Sequence, residues 1–450
     1  MSRKQRIPVG IWVESNPGDQ WAHQGMTRLL GFIIEGIAQG GVYQVRLSLP
    51  DYTRPEAEED LKSLNAKEGI DYVLYSPKDF NEEVKSFEEL AMFANRHVKV
   101  DGWLSLFPQY THATYLDAPV TVIFPDAIPL VFPDYAEASW GKKGHHVAWR
   151  ERVGELLTEV DRVITFSDHV ARDHVNKLFN YDIAKIRPII GAPPDLSPLL
   201  PYVRDHKRTS DSLKQAAEDL RRHALVHGSP YFEDYPFENS PYVAISTQDR
   251  VTKNLRIVAD AVSRVVRDDR ANLKMLMTAH LMFGTHGSPL PYFVEDAQLH
   301  RDIISMPDLP RAVHAAFYHA AELAIHPSIF EGGAGTFPFL EAASVGTPCL
   351  MADGPHQREI NLQAPRLAKF VFDPNDTDGL IKLIRMVRDN RPEIVEEQAS
   401  IYQQLRQRSW QDVAMEYARA ATENNKQVKL KAQRARDSKT KMRIADPKIR

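Results

Sequence analysis

The sequence predicts two successive α/β domains, each built on a parallel, doubly wound sheet. Short apolar runs rich in Val, Ile and aromatic residues alternate with longer segments whose apolar residues recur at helical spacing, a pattern typical of βαβ units. The alternation lapses between about Pro194 and Pro241, a proline-rich and polar stretch, and then resumes. At roughly 150 residues per domain, a chain of 450 residues has room for two large domains or three smaller ones.

The first half of the chain contains five predicted strands and two predicted helices. The strands are Pro8–Val13, Tyr72–Tyr75, Trp103–Phe107, Pro119–Phe124 and Arg162–Phe166, and the helices are Thr27–Gln39 and Val147–Val160. We interpret residues 1–195 as one domain and residues 196–240 as an interdomain connection. Because Arg204–Arg222 is strongly polar, we expect the connection to contain one exposed helix.

The second half repeats the alternation. Its predicted strands are Tyr242–Thr247, Leu273–Thr278, Leu323–Pro327, Pro348–Met351 and Lys369–Phe372, and its predicted helices are Asn254–Arg267, Leu309–Ala321 and Pro338–Val345. Residues 241–408 form the second predicted domain. Open parallel sheets bind ligands at the carboxyl ends of their strands, so the loops that follow strands are the candidates for a functional site.

The composition excludes several classes of protein. Hydrophobic residues make up 43% and charged residues 26% of the chain, values typical of a globular protein and incompatible with wholesale disorder. A single cysteine, Cys349, excludes an intrachain disulfide framework and a cysteine-rich metal site. No apolar run reaches the ~18 residues needed to span a bilayer, and the first residues do not have the pattern of a signal peptide.

The most informative segment runs from His326 to Glu341, where a predicted strand leads through a glycine-rich loop into a helix. Pro338 suits the first turn of that helix because the missing N–H would be unpaired there anyway. Glycines allow backbone amides to approach a ligand closely, and a helix N-terminus favours an anion. Glu331 and Glu341 flank the loop and can accept hydrogen bonds from sugar hydroxyls. This combination favours a nucleotide-sugar site over an ordinary glycine-rich turn with two solvated glutamates.

A second segment, Ser246–Asn254, follows a predicted strand and precedes a helix. It carries Arg250 and Lys253 three residues apart, placed to meet a diphosphate. Such cations stabilise the developing charge of a leaving group in place of a metal ion. Taken alone, the pair would be interpreted as surface charges at a helix start.

Together these segments resemble the retaining glycosyltransferases of the GT-B fold, family 4 (glycosyl transferases group 1). That family has an Arg-x-x-Lys-Asn turn and a later Pro-Ser-x-x-Glu-Gly loop that closes with Leu-Glu-Ala. The matching residues here are Arg250, Lys253 and Asn254, then Pro327, Ser328, Glu331 and Gly332, then Leu340, Glu341 and Ala342. Gly346-Thr-Pro-Cys-Leu350, Ile164-Thr-Phe-Ser167 after the last predicted strand of the first domain, and Ser409-Trp410 before a closing helix add to the resemblance. It spans roughly Pro8 to Asn424 and is strongest between 242 and 352.

The resemblance implies two Rossmann-like domains that face a central cleft, with the acceptor side in the first and the donor side in the second. A closing helix, residues 409–425, would return to the first domain. Glu331 would contact the donor sugar, Glu341 the ribose, and Arg250 and Lys253 the diphosphate. The loop residues that would lie beside the diphosphate are Gly332, Gly333, Ala334, Gly335, Thr336 and Phe337, together with Gly25 of the first domain.

Two features depart from the family pattern. Nine residues separate Glu331 from Glu341, whereas the family has seven. In the first domain the family often has His-Asp at the end of a strand, where this chain has Pro125-Asp126. A proline can neither donate a hydrogen bond nor shuttle a proton. Asp126 would then border the acceptor site or cap a turn, and His23 is a further candidate on the acceptor side.

The 17 histidines do not form a recognisable metal motif. His223 and His227 are four apart, but the glutamate of a zinc-protease helix is absent and no third ligand is evident. His145, His146 and His326 have no partner at useful spacing, and we interpret His112 as a surface or loop residue. We therefore expect no metal and no cofactor, with a nucleotide sugar as donor substrate.

The sequence thus predicts transfer of a sugar from a UDP- or GDP-sugar to a hydroxyl of a glycan or lipid-linked acceptor, with retention at the anomeric carbon. The expected setting is cell-surface polysaccharide or glycoconjugate synthesis. Two alternatives remain at this point. One is another GT-B enzyme, an epimerase or a phosphorylase; the other is a catalytically silent partner subunit that binds sugar nucleotides.

The charge distribution is asymmetric. The whole chain has 56 Lys and Arg residues against 60 Asp and Glu residues, but residues 426–450 have ten against two. An acidic body of net charge −12 therefore precedes a basic tail of net charge +8. We expect a cytoplasmic protein whose tail is either a solvated extension or a peripheral contact with anionic lipid at the inner face of the membrane. Nucleic acid is not an expected partner, because the acidic body would repel it.

Overall fold

Two parallel sheets, each covered by helices on both faces, form the protein in a computed structural model. The structure describes residues 6–17, 25–65, 70–134, 143–204, 207–226, 232, 234–281 and 289–423. The predicted fold class, two α/β domains built on doubly wound parallel sheets, is confirmed.

The first sheet has seven strands in the spatial order β3-β2-β1-β4-β5-β6-β7, all parallel. The strands are β1 Ile7–Trp12, β2 Tyr43–Ser48, β3 Tyr72–Tyr75, β4 Gly102–Ser105, β5 Val120–Phe124, β6 Arg162–Thr165 and β7 Ile186–Pro188. The longer helices of this domain are α1 Gly25–Gly40, α2 Arg54–Asp60, α3 Phe87–His97 and α4 His145–Glu159. A π-helical segment, Val170–Asn176, follows β6.

The second sheet has six parallel strands in the order β10-β9-β8-β11-β12-β13. These are β8 Tyr242–Ile245, β9 Lys274–Met277, β10 Ile303–Ser305, β11 Leu323–His326, β12 Cys349–Ala352 and β13 Val371–Phe372. The helices from the connection onward are α5 Ser210–Val226, α6 Leu255–Asp268, α7 Leu290–Asp296, α8 Arg311–Ala320, α9 Phe337–Ser344, α10 Pro355–Gln363, α11 Thr377–Asp389, α12 Arg391–Leu405 and α13 Trp410–Thr422.

The sequence did not predict three of the strands, β2, β7 and β10. β2 alternates buried and half-buried residues, so it lacks a continuous apolar run. β7 and β10 have only three residues each and lie at the sheet edges. Because β7 comes later in the chain than β6, the expectation that Ile164–Ser167 follows the last strand of the first domain was wrong.

The prediction that the helix in the connection is exposed was also wrong. Helix α5 packs on the second domain, because Ala216, Ala217, Leu220 and Ala224 form a buried stripe along one face. Buried His319 of α8 holds that face by a hydrogen bond between its Nε2 and the Ser212 hydroxyl, 2.9 Å. The polar residues that suggested exposure lie on the opposite face.

The last described helix, α13, lies in the first domain although it follows the second in sequence. Val413, Ala414, Tyr417 and Ala418 are fully buried there, in the hydrophobic cluster that also contains residues of α1 and β1. Ser409 starts the helix with a reciprocal capping box to Asp412. The chain therefore crosses between the domains twice, and α13 anchors the second crossing.

Gly102→Ala tests how closely α13 approaches the sheet. A Cβ at Gly102 would lie far inside van der Waals contact of the Ala421 carbonyl oxygen, so the helix would have to shift. We expect the melting temperature to fall by several degrees. Gly31→Ala is the matched control, since nothing lies within 4 Å of its Cβ and alanine favours a helix. A Gly102→Ala protein that melts like the Gly31→Ala protein would contradict this packing.

Candidate active site

Two loops of the second domain lie against each other at the carboxyl edge of its sheet. One follows β8 and contains Arg250 and Lys253; the other follows β11 and contains Glu331. The backbone N–H of Ile329 donates to the Thr252 carbonyl oxygen at 3.0 Å, and the buried Ser328 hydroxyl donates to Phe330 O at 2.9 Å. The two segments singled out in the sequence are therefore in contact. They meet at the switch point of the sheet, where β8 and β11 are neighbours while the strands that follow them, β9 and β12, lie on opposite sides of this pair.

Glu331 is held as a carboxylate by two basic side chains. Lys253 Nζ forms an ion pair with Glu331 Oε1, and His326 Nε2 lies 3.0 Å from the same oxygen. About a quarter of the Glu331 side chain is exposed, against 16% for Lys253. Burial alone would raise the pKa of Glu331, but the charge of Lys253 and the hydrogen bond to His326 hold that pKa well below its usual range.

Arg250 and Asp126 complete a charged cluster around this pair. The Arg250 side chain is exposed and forms no hydrogen bond or ion pair with another described side chain, whereas its backbone carbonyl accepts from Lys253 N at 2.8 Å. Asp126 lies on the first-domain side, where its Oδ1 accepts from Ile128 N at 3.0 Å and so caps a turn. Burial and the neighbouring charge of Glu331 raise the pKa of Asp126, while Lys253 and Arg250 oppose the rise.

The glycine-rich loop touches the first domain. The hydroxyl of Ser167 donates to Gly332 O at 2.9 Å, and Ala334 N donates to Phe166 O at 3.3 Å. A Cβ at Gly332 would overlap the Pro125 carbonyl oxygen, whereas Gly333 faces open space. Pro125, which stands where the resembled family often has histidine, thus contacts the glycine-rich loop through its backbone carbonyl.

Gly335 needs to be a glycine for a different reason. Its φ of +80° lies in the left-handed region, and a Cβ would lie 2.7 Å from Ile360 Cδ1. Its N–H donates to the His356 carbonyl oxygen at 2.9 Å. The amides of Ala334 and Gly335 are therefore both bonded within the protein in this conformation.

Helix α9 starts directly after the loop. Thr336 is its N-cap, and its side-chain oxygen accepts from Phe339 N at 3.3 Å. Phe337 is 40% exposed, and Glu341 is buried, at 2% exposure. Glu331 and Glu341 thus occupy different environments, one in the cluster of charges and the other on the buried face of α9.

The remaining predicted residues lie at the edge of the described chain. Gly25 is the first residue of α1. His23 lies outside the described residues, as do His227 and the basic tail 426–450.

Interdomain contacts include a residue that the sequence analysis missed. Glu359 of α10 accepts hydrogen bonds from two first-domain amides, Asp168 N at 2.9 Å and His169 N at 3.1 Å. Phe330 is 3% exposed and stacks on His174 of the first domain, with ring centroids 5.1 Å apart. No local pattern marks Glu359, because its partners lie about 190 residues away.

A second missed residue, Glu14, follows β1 at the switch point of the first sheet. Trp12 Nε1 donates to Glu14 Oε1 at 2.7 Å, and His112 Nδ1 lies 2.9 Å from Glu14 Oε2. The hydrogen bond from Glu14 raises the pKa of His112, and burial opposes the rise. His112 is therefore a partly exposed imidazole held in place by Glu14, and not an unconstrained loop residue. The sequence signal that could have identified Glu14 is its position as a lone carboxylate shortly after a strand.

Among the described residues, no three His, Cys, Asp or Glu side chains are grouped so as to hold a metal ion. Likewise, none of the described helices is long and apolar enough to cross a membrane.

Gly332→Ala tests the contact between the loop and the first domain. We expect the added methyl group to push the domains apart, because it cannot share space with the Pro125 carbonyl. Small-angle X-ray scattering should show a larger radius of gyration than for the unmodified protein. Gly333→Ala adds the same methyl group one residue away in open space, and should leave the scattering unchanged. Equal scattering from the two variants would contradict the contact.

Comparisons with known proteins agree with this geometry. Residues 231–408 match the family model described as glycosyl transferases group 1, which covers the second domain and both of its candidate loops. No curated protein sequence matches the chain.

Several solved structures share the fold across both domains. HepE from Anabaena, in complex with UDP and glucose, has a TM-score of 0.58 at 13% identity, and the match covers 92% of this chain and 98% of that one. Sucrose-phosphate synthase from Thermosynechococcus elongatus has a TM-score of 0.60 at 13% identity, with the same coverage. The catalytic domain of starch synthase IV from Arabidopsis thaliana, bound to ADP and acarbose, has a TM-score of 0.56 at 14% identity, again covering 92% and 98%. The second domain thus matches the glycosyl transferases group 1 model, and the two domains together share the GT-B fold of these solved structures.

Proposed function

We propose that the protein is a retaining glycosyltransferase that moves a sugar from a nucleoside diphosphate sugar, a UDP- or GDP-sugar, to a hydroxyl of a glycan or lipid-linked acceptor. The observation that carries the proposal is the ion pair of Lys253 with Glu331 at the switch point of the second sheet, with the exposed Arg250 in the same loop as Lys253. Crevices of this kind bind nucleotides in open α/β sheets. Two cations beside a fixed carboxylate suit a ligand that has both phosphates and hydroxyls.

Each residue has a role in this proposal. Arg250 and Lys253 bind the diphosphate, and Glu331 accepts hydrogen bonds from donor-sugar hydroxyls. Glu341 serves the ribose. Gly25 and the loop residues Gly332, Gly333, Ala334, Gly335, Thr336 and Phe337 approach the phosphates through their backbones. Asp126 and His23 border the acceptor.

The proposed reaction needs no metal ion and no cofactor. The bond between the anomeric carbon and the diphosphate oxygen breaks, and its electron pair leaves with the diphosphate. The acceptor oxygen bonds to the anomeric carbon on the same face, and its proton passes to the leaving diphosphate. Arg250 and Lys253 stabilise the charge on that group, the kind of interaction that contributes most to catalysis in many enzymes. Contacts such as Ser167 with Gly332 close the site against water.

A silent subunit that binds sugar nucleotides is the second candidate function. It is favoured by the loop conformation, because Ala334 N and Gly335 N are already bonded to protein carbonyls and Lys253 to Glu331. Calorimetry and turnover assays with UDP-, GDP- and ADP-sugars separate the two candidates. Donor binding with neither transfer nor hydrolysis would favour the silent subunit; an epimerase or phosphorylase would convert the donor without a glycan product.

Arg250→Ala and the double variant Arg250→Ala/Lys253→Ala test the donor site. Loss of one such electrostatic group typically lowers kcat by about 10²–10³, and we expect at least that loss from the double variant. Lys214→Ala/Lys382→Ala is the control, because it removes two exposed lysines from helix surfaces. Its turnover should match that of the unmodified protein. Because Lys253 forms an ion pair with a partly buried carboxylate, its loss can also lower stability, so the melting temperature of each variant is measured as well. Arg250→Ala is the variant that should affect folding least, because Arg250 is exposed. Unchanged turnover in both variants would eliminate the assignment.

The tail suggests where the enzyme works. We propose that residues 426–450 contact anionic lipid at the cytoplasmic face of a membrane, which suits a lipid-linked acceptor in polysaccharide or glycoconjugate synthesis. The support is a net charge of +8 in 25 residues, at ~1 kcal/mol for each basic residue near such a surface.

Truncation after residue 425 tests this contact. The full chain should sediment with phosphatidylserine-containing liposomes at low salt and be released at high salt, because screening weakens surface electrostatics. The truncated chain should remain in solution while it keeps its melting temperature. Absence of binding by the full chain at low salt would refute the contact.

A further inference from the structure

His356 is a buried imidazole without a hydrogen bond to any described residue. It is the second residue of α10 and is 1% exposed, and neither Nδ1 nor Nε2 has a partner within the described part of the chain. Buried polar side chains are nearly always hydrogen-bonded, since an unpaired one loses its contacts with water without replacement. Both ring nitrogens can therefore hydrogen-bond to a ligand.

The ring lies beside the candidate donor site. Its centroid is 6.4 Å from that of His326, whose Nε2 bonds to Glu331. The backbone carbonyl of His356 accepts the hydrogen bond from Gly335 that shapes the glycine-rich loop. His356 is thus tied to both the carboxylate and the loop that the proposed function assigns to the donor.

Gly354 keeps the ring in this position. A Cβ at Gly354 would lie 2.7 Å from His356 Cε1 and 2.7 Å from Ile329 O, so only glycine leaves space for the imidazole beside the loop after β11. The N-terminal turn of α10 is fixed at the same time by the contacts of Glu359 with the first domain. The ring is therefore placed by its surroundings on more than one side.

The charge state of the ring selects the kind of ligand. Burial lowers the pKa of His356 to about 3; Glu331 and Asp353 oppose the shift, whereas His326 and Lys253 add to it. The imidazole is therefore neutral near pH 7, with one nitrogen as donor and the other as acceptor. Phosphate oxygens only accept hydrogen bonds, whereas a hydroxyl both donates and accepts. Hydroxyl groups match both nitrogens, and a diphosphate matches one.

We propose that His356 binds the sugar of the donor, with its two ring nitrogens hydrogen-bonded to sugar hydroxyls, and so sets the affinity for the sugar and not for the nucleoside diphosphate. This inference rests on the proposed function and adds a specificity-determining residue to it. Glu331 and His356 then contact the sugar, while Arg250 and Lys253 bind the diphosphate.

His356→Phe tests the assignment, because phenylalanine keeps an aromatic ring and removes both hydrogen-bonding atoms. Calorimetry first identifies which of UDP, GDP and ADP the unmodified protein binds. The affinity for that diphosphate is then compared with the affinities for its glucose and mannose conjugates. We expect the affinity for the nucleotide sugar to fall about tenfold, while the affinity for the free diphosphate changes less than twofold. His356→Asn, which keeps one donor and one acceptor, should recover part of the loss.

His319→Phe controls for a general loss of stability. His319 is also buried in the second domain, and both of its nitrogens have partners, Val345 O and the Ser212 hydroxyl. This variant should melt at a lower temperature and keep the unmodified ratio of the two affinities. Equal losses for diphosphate and nucleotide sugar in His356→Phe, or no loss in either, would overturn the assignment of His356 alone. Absence of binding of every diphosphate and nucleotide sugar by the unmodified protein would instead overturn the proposed function, and this inference with it.

Discussion

The ion pair between Lys253 and Glu331 is the interaction on which the site depends. It joins the loop after β8 to the loop after β11, and so spans the crevice between two neighbouring strands that are about 80 residues apart in sequence. Removing one partner of a largely buried pair leaves an uncompensated charge, which typically costs 3–5 kcal/mol. The pair therefore fixes both the geometry of the two loops and the negative charge of Glu331. That charge contributes to the raised pKa of Asp126.

Around this pair, polar contacts and one aromatic side chain join the two domains. Ser167 bonds to a backbone carbonyl, Glu359 to two backbone amides, and Phe330 packs against aromatic rings of the first domain. Such contacts resemble those between domains that move relative to each other, and unlike a core they can be replaced by water. The permanent attachment lies elsewhere, in the apolar packing of α13 on α1. The architecture thus combines a weak contact at the site with a strong one distant from it.

The sequence was informative where a local pattern determines the backbone. Arg250, Lys253 and Glu331 lie in short loops after strands, and strand runs and glycines in a fixed order identify such loops without knowledge of distant contacts. Glu14 and His112 are 98 residues apart, and Glu359 bonds to residues about 190 positions away. Their roles depend on which strands are neighbours, and no window of sequence contains that information. His356 was overlooked for a related reason, because its significance lies in the hydrogen bonds it lacks. The exposure of α5 was misjudged because its polar face is prominent in the composition, while its buried stripe consists largely of small alanines.

The position of α13 also has a consequence for how the protein is made. The core of the first domain includes residues up to Ala421, which leave the ribosome after the whole second domain. A nascent chain that has emerged only as far as β7 therefore exposes apolar surface on α1 and around Gly102 that nothing yet covers. The second domain can complete its own core first, reversing the usual N-to-C order of domain folding during synthesis. Until the last helix docks, the nascent first domain exposes the kind of apolar surface that chaperones bind.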